Sequence, residues 1–76
     1  MNDIEKAIEY VRKNVNLHDV LNTKLNMEIK REPLYRVNAS LCDKIYDLME
    51  EYGQNNDLPE GWWLNLYEEE DVLMCL

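Results

Sequence analysis

GWWLNLYEEEDVLMCL, Gly61–Leu76, places two adjacent tryptophans, four consecutive acids and an apolar end in one short stretch, and its reading decides the fold. As a strand, residues 62–67 send Trp63, Asn65 and Tyr67 to one face and Trp62, Leu64 and Leu66 to the other. As a helix from about residue 58, the stretch aligns Leu58, Trp62, Leu66 and Leu73 on one side, with Gly61 as a weak point. Glu68, Glu69, Glu70 and Asp71 suit the first turn of a terminal helix, where the dipole favours negative charge. The tail is therefore expected to be helical over 68–75, and 61–67 stays open between helix and strand.

Upstream, residues 41–52 carry the strongest helical signal. Leu41, Ile45, Leu48, Met49 and Tyr52 recur at i, i+4, i+7, i+8 and i+11. Ser40 is placed to cap this helix with Asp43 in the capping-box position, and Gly53 falls where a left-handed terminating residue belongs. After the polar QNND loop, DLPE can restart a helix with Asp57 as cap and Pro59 in its tolerant first turn.

Towards the start, residues 3–14 read as an amphipathic helix on Ile4, Ala7, Ile8 and Val11, capped by Asn2 or Asp3, with acids early and bases late. Val20, Leu21 and Leu25 suggest a second helix over 17–24, with Asn16 as cap. Leu25, Met27 and Ile29 alternate with polar residues in the manner of a strand, and Pro33 interrupts what precedes it. A short hairpin over 25–37 and an extended crossing loop both fit. The expected architecture is mainly α: a small single domain spanning 1–76, of three to four helices, with room for a hairpin at 25–37. The alternative is α+β with an additional strand at 62–67.

Seventy-six residues fit one domain, and a chain of this size buries only roughly 60% of its unfolded surface. A 46% hydrophobic content argues against wholesale disorder despite a net charge of −8. That charge is unevenly spread. Residues 1–37 hold six acids and seven bases and sum to +1, whereas residues 38–76 hold ten acids and the single base Lys44 and sum to −9. Such a field repels nucleic acid and anionic membrane and draws in basic partners, although an acidic face that serves solubility alone is the simpler reading.

Catalytic and metal chemistry find little footing. His18 and Asp19 are sequence neighbours and do not face each other on a helix, and Ser40 lacks a nucleophile-elbow context. The run 68–71 lacks the alternation and the glycine of a calcium loop, and neither glycine of the chain lies in a phosphate-binding pattern. Cys42 and Cys75 make no disulfide framework or zinc signature and read as reduced thiols. No bilayer-length apolar segment is present, and Met-Asn-Asp-Ile-Glu lacks the features of a signal peptide, so a cytoplasmic protein is expected. No cofactor and no metal is expected.

With no Phe in the chain, at least one of Trp62 and Trp63 should fill the core, and the other is a candidate aromatic anchor beside the acids. Asp43, Asp47, Glu50 and Glu51 share the outer face of the 41–52 helix at i, i+4, i+7 and i+8. These four, with Trp62, Trp63, Glu68, Glu69, Glu70 and Asp71, form the candidate partner-binding set. The expected function is that of a non-enzymatic regulatory protein whose C-terminal half binds a basic protein surface. One alternative is an inhibitor of a DNA- or RNA-processing enzyme, of the phage or mobile-element kind, whose acids imitate phosphates. The other is a self-associating subunit, a homodimer being the simplest case.

Overall fold

A computed structural model describes residues 2–76. Among them are five α-helices and no strand: α1 (Asp3–Lys13), α2 (Leu17–Lys30), α3 (Leu34–Val37), α4 (Ala39–Asn55) and α5 (Glu69–Met74). α4 is the central post. α1, α3 and α5 pack on it, while α2 meets the short α3 more closely than any other helix. The core joins Ala7, Ile8 and Val11 of α1, Val20 and Met27 of α2, and Leu34 of α3 to Leu41, Ile45, Leu48, Met49 and Tyr52 of α4, with Trp63, Val72 and Leu73 closing it from the tail.

The first two helices start where their asparagines direct. The Asn2 side chain accepts a hydrogen bond from the Glu5 amide at 2.9 Å, and Asn16 accepts from the amides of His18 and Asp19 at 2.8 and 3.2 Å. α2 then continues well past residue 24, and the segment read as a hairpin or crossing loop is helical as far as Lys30. The alternation of Leu25, Met27 and Ile29 has a helical origin. Met27 is buried with Val20 and Thr23 on one side, while Leu25 and Ile29 lie on another and face solvent. Two interleaved helical faces thus imitate a period of two. The helix ends with Arg31 in the left-handed region (φ 54°), followed closely by Pro33.

α4 begins one turn-fraction earlier than the sequence suggests. Asn38, not Ser40, caps it, accepting from the Leu41 amide at 3.1 Å, and Ser40 is an exposed residue of the first turn. The Asn38 amide group also donates to Thr23 Oγ1 at 2.9 Å, so one side chain caps α4, satisfies the buried Thr23 hydroxyl and ties α2 to the centre of the fold.

Gly53 does not terminate α4. It lies inside the helix, and the left-handed residue is Asp57 (φ 57°), with the Leu58 amide reaching back to the Gly53 carbonyl at 2.8 Å. The glycine serves close approach instead. A Cβ at this position would stand 2.6 Å from both Cδ1 and Nε1 of Trp62, whose indole is held against α4.

Residues 58–67 form neither the restarted helix nor the strand. They run as linked turns, with Trp62 N to Pro59 O, Leu64 N to Gly61 O and Tyr67 N to Trp63 O at 3.0–3.1 Å, and with Gly61 at φ 72°. The terminal helix forms as expected but is shorter, Glu69–Met74, with the Glu68 amide donating to the Asp71 carboxylate at 2.9 Å.

Gly53→Ala is expected to lower stability by roughly 1–3 kcal/mol through overpacking against Trp62, even though alanine is the better helix former by about 1 kcal/mol. Urea denaturation measures the sign directly, and a more stable alanine variant would show that Trp62 is free to move away.

Candidate functional site

The acids of the C-terminal half fall into two groups. The first works inside the fold. Glu50 is half-buried, and its carboxylate accepts from the Gly61 amide at 2.9 Å and from Trp63 Nε1 at 2.7 Å. Glu51 accepts from the Tyr10 hydroxyl of α1, and Asp71 closes the first turn of α5. Glu69 lies 3.6 Å from the Cys42 thiol, which points its weak donor at the carboxylate. On the α4 wheel Glu50 and Glu51 flank Asp43 and Asp47, so one outer acid turns towards the 58–67 turns and the other towards α1.

Neither tryptophan is a free anchor. Trp63 is fully buried, packs against Tyr46 with ring centroids 5.8 Å apart, and is hydrogen-bonded to Glu50. Trp62 is partly buried against Tyr52 (5.7 Å) and Gly53, and its Nε1 donates to the Met49 carbonyl at 3.1 Å. The expectation that one indole fills the core holds for Trp63. Trp62 is committed as well, because adjacent residues in a chain of turns can both point back at the same helix.

The second group faces outward. Asp43, Asp47, Glu60 and Glu68 are exposed, and Glu70 is partly so. These acids gather around one edge of α4. Carboxylates of Glu50, Glu60, Glu69 and Asp47 all act on the Tyr46 hydroxyl, and those of Glu69, Asp43 and Glu70 act on the Cys42 thiol. None of them forms an ion pair, although Lys24 lines one cleft with Glu70. Among the described residues the one ion pair is Arg36–Glu32 at 3.9 Å, within the front half, and Lys44 pairs with no acid.

Beside this acidic edge, a cleft of about 80 Å³ is lined by Leu34, Tyr35, Cys42, Glu68, Glu69 and Glu70. Tyr35 is 63% exposed at its rim. It is the aromatic that sequence reasoning missed, because it lies in the segment read as a hairpin and far along the chain from the acids it joins. His18 is exposed, and its chain neighbour Asp19 is oriented towards Asn38 (3.3 Å) instead. Among the described residues no group of three His, Cys, Asp or Glu side chains converges as metal ligands would, and no helix is long and apolar enough to cross a membrane.

The chain matches no protein-family model, no curated protein and no solved structure.

Four groups titrate upward together. Burial, reinforced by the nearby Glu69, pushes the Cys42 thiol from 9.0 up to about 11. Tyr46 is raised by Glu50 and then by burial, Tyr10 by its hydrogen bond to Glu51, and Tyr52 by burial and then by its hydrogen bond to Asp3. In each case the folded state favours the neutral, protonated form. The stability this contributes is complete below the ordinary values of 9.0 and 10.0 and is lost as pH rises through the raised ones. The melting temperature is therefore expected to hold steady to about pH 8 and to fall from about pH 9 upward. Cys42→Ala should flatten the portion between 9 and 11. A flat profile through pH 11 in the parent protein would contradict the placement of these groups.

Proposed function

We propose that the protein is a non-enzymatic interaction protein whose acidic edge, formed by α4 and the start of α5, binds a basic protein surface. The observation that carries this reading is the gathering of Asp43, Asp47, Glu60, Glu69 and Glu70 around Cys42 and Tyr46 with no cation paired to any of them. Acids already neutralised within the chain would have little to offer a partner. Asp43, Asp47, Glu60 and Glu70 form no ion pair among the described residues and keep a negative field at this edge, where it steers encounter and sets specificity.

The anchor in this reading is Tyr35 rather than a tryptophan. A lysine or arginine end placed in the cleft between α3 and α5 would meet the ring of Tyr35 on one side and the carboxylates of Glu68, Glu69 and Glu70 on the other. Both contacts favour a cation, the ring through its quadrupole and the acids through charge-assisted hydrogen bonds. The phosphate-imitating alternative draws less support. Glu50 and Glu51 are occupied by Trp63 and Tyr10, which shortens the regular row on α4 to Asp43 and Asp47.

Asp43→Lys/Asp47→Lys/Glu70→Lys reverses three acids that hold no partner inside the chain, so the variant is expected to fold with unchanged helical circular dichroism. Proteins captured from a host lysate by the wild type at low ionic strength should be lost by the variant, with affinity down at least about a hundredfold, and Tyr35→Ala should weaken the same contacts by about tenfold. Added duplex DNA that displaces the partner would redirect the reading to phosphate imitation. Retention of every partner by the folded variant would refute the acidic edge altogether.

A further inference from the structure

α2 carries an apolar surface that the chain itself leaves uncovered. Leu17, Leu21, Leu25 and Ile29 recur every fourth residue and are 47%, 63%, 55% and 68% exposed. They form one continuous i, i+4 ridge about 18 Å long on the side of the helix turned away from buried Val20, Thr23 and Met27. Scattered exposed leucines are ordinary on a protein surface, but four in register on one helix are not. The same helix is weakly held from within, since it packs chiefly on the four-residue α3. Fourteen residues are marginal as a helix without tertiary cover.

We propose that the protein forms a homodimer by antiparallel packing of this ridge against its copy, a contact that uses residues other than Asp43, Asp47 and Tyr35 and is argued independently of the acidic edge, which it adjoins at Glu70. Charge identifies the occupant. A chain of net charge −8 repels its copy wherever acids would stack, yet Leu17–Lys30 holds Asp19 and Glu28 against Lys24 and Lys30 and is neutral. The row alongside the ridge carries Lys24 followed by Glu28, neither paired within the chain. Antiparallel packing about a two-fold near residue 26 sets this row against itself running the other way, so that Lys24 of each copy meets Glu28 of the other while Leu21, Leu25 and Ile29 make the apolar contact and Leu17 lies at its margin. A parallel pair would instead set it against the row of His18, Asn22 and Asn26. Ridges of i, i+4 spacing interlock at a crossing angle of about −50°, the commonest class of helix pair.

The size of the ridge sets the strength. It is smaller than the roughly 800 Å² per partner of a standard interface, which points to a reversible dimer with a Kd of about 1–100 µM. Met74, 55% exposed across the cleft of about 450 Å³ that Lys24, Met27, Glu28, Glu32 and Glu70 also line, adds apolar surface at the edge.

Sedimentation equilibrium of the full chain from about 1 µM to about 1 mM should show a passage from 9.2 kDa to twice that mass. Leu21→Glu/Leu25→Glu should weaken association by at least about a hundredfold with helical circular dichroism unchanged, because both side chains are already exposed. Lys24→Glu alone and Glu28→Lys alone should each weaken it by about tenfold, counting both symmetric pairs, and the exchange Lys24→Glu/Glu28→Lys should restore it. A 9.2 kDa species throughout the range, or undiminished dimerisation of the leucine variant, overturns the proposal. Failure of the exchange to restore association overturns the antiparallel arrangement.

Discussion

The carboxylate of Glu50 is the point on which the C-terminal third of the molecule turns. Residues 58–67 have no helix or strand to organise them, so their backbone and indole donors must find partners elsewhere. Glu50 provides for two, the Gly61 amide and Trp63 Nε1, from the face of α4 that would otherwise be solvated. A hydrogen bond to a charged group is worth about 1.5–3 kcal/mol, and a buried donor left without one costs a similar amount. With Trp63 fixed, its ring closes the core above Tyr46, and the chain is delivered to Glu68 where α5 can start. Trp62, against Gly53 and the Met49 carbonyl, secures the same turns from the other side.

How much of this fold could be read from the sequence follows from how local its causes are. The helical pattern of 41–52 was plain, as was the cap at Asn16, and the first cap was narrowed to Asn2 or Asp3, of which the structure uses Asn2, because a helix and its cap are settled within a few residues. The length of α2 was obscured because Leu25 and Ile29 interleave with Met27 on two faces, and alternation cannot reveal which of those faces is buried. Asn38 displaced Ser40 as cap because α3, a single turn following Pro33, delivers the chain to α4 two residues sooner. Gly53 and the 61–67 segment were illegible for a common reason. The glycine is needed for the ring of Trp62, nine residues further along, and the neighbouring ring of Trp63 is held by a carboxylate thirteen residues before it.

The candidate site divides in the same way. Composition located the negative charge correctly in residues 38–76, and Asp43, Asp47 and Glu70 remain unpaired at one edge. Composition could not separate acids that face outward from acids that hold the fold, and Glu50, Glu51 and Asp71 belong to the second kind. It also offered Trp62 and Trp63 as the aromatics beside the acids, both of which the fold holds against α4, whereas Tyr35 reaches the acids only through the packing of α3 beside α5. The ridge on α2 was hidden by reading Val20 with Leu21 and Leu25 as one stripe, although the first is buried and the others are exposed. The resulting molecule keeps most of its unpaired acids on α4 and α5 and its apolar ridge on α2, with Glu70 lining the cleft where the two surfaces adjoin.

The dependence of the tail on Glu50 is most directly tested by a double-mutant cycle of Glu50→Ala and Trp63→Phe, with stabilities taken from urea denaturation. Phenylalanine removes the indole donor, and the cycle cancels the cavity and the lost Gly61 contact that the single changes also create. The expected coupling is about 1–3 kcal/mol in favour of the native pair. Strictly additive losses, with coupling near zero, would show that the carboxylate and the indole do not hold each other, and that the tail is positioned by something else.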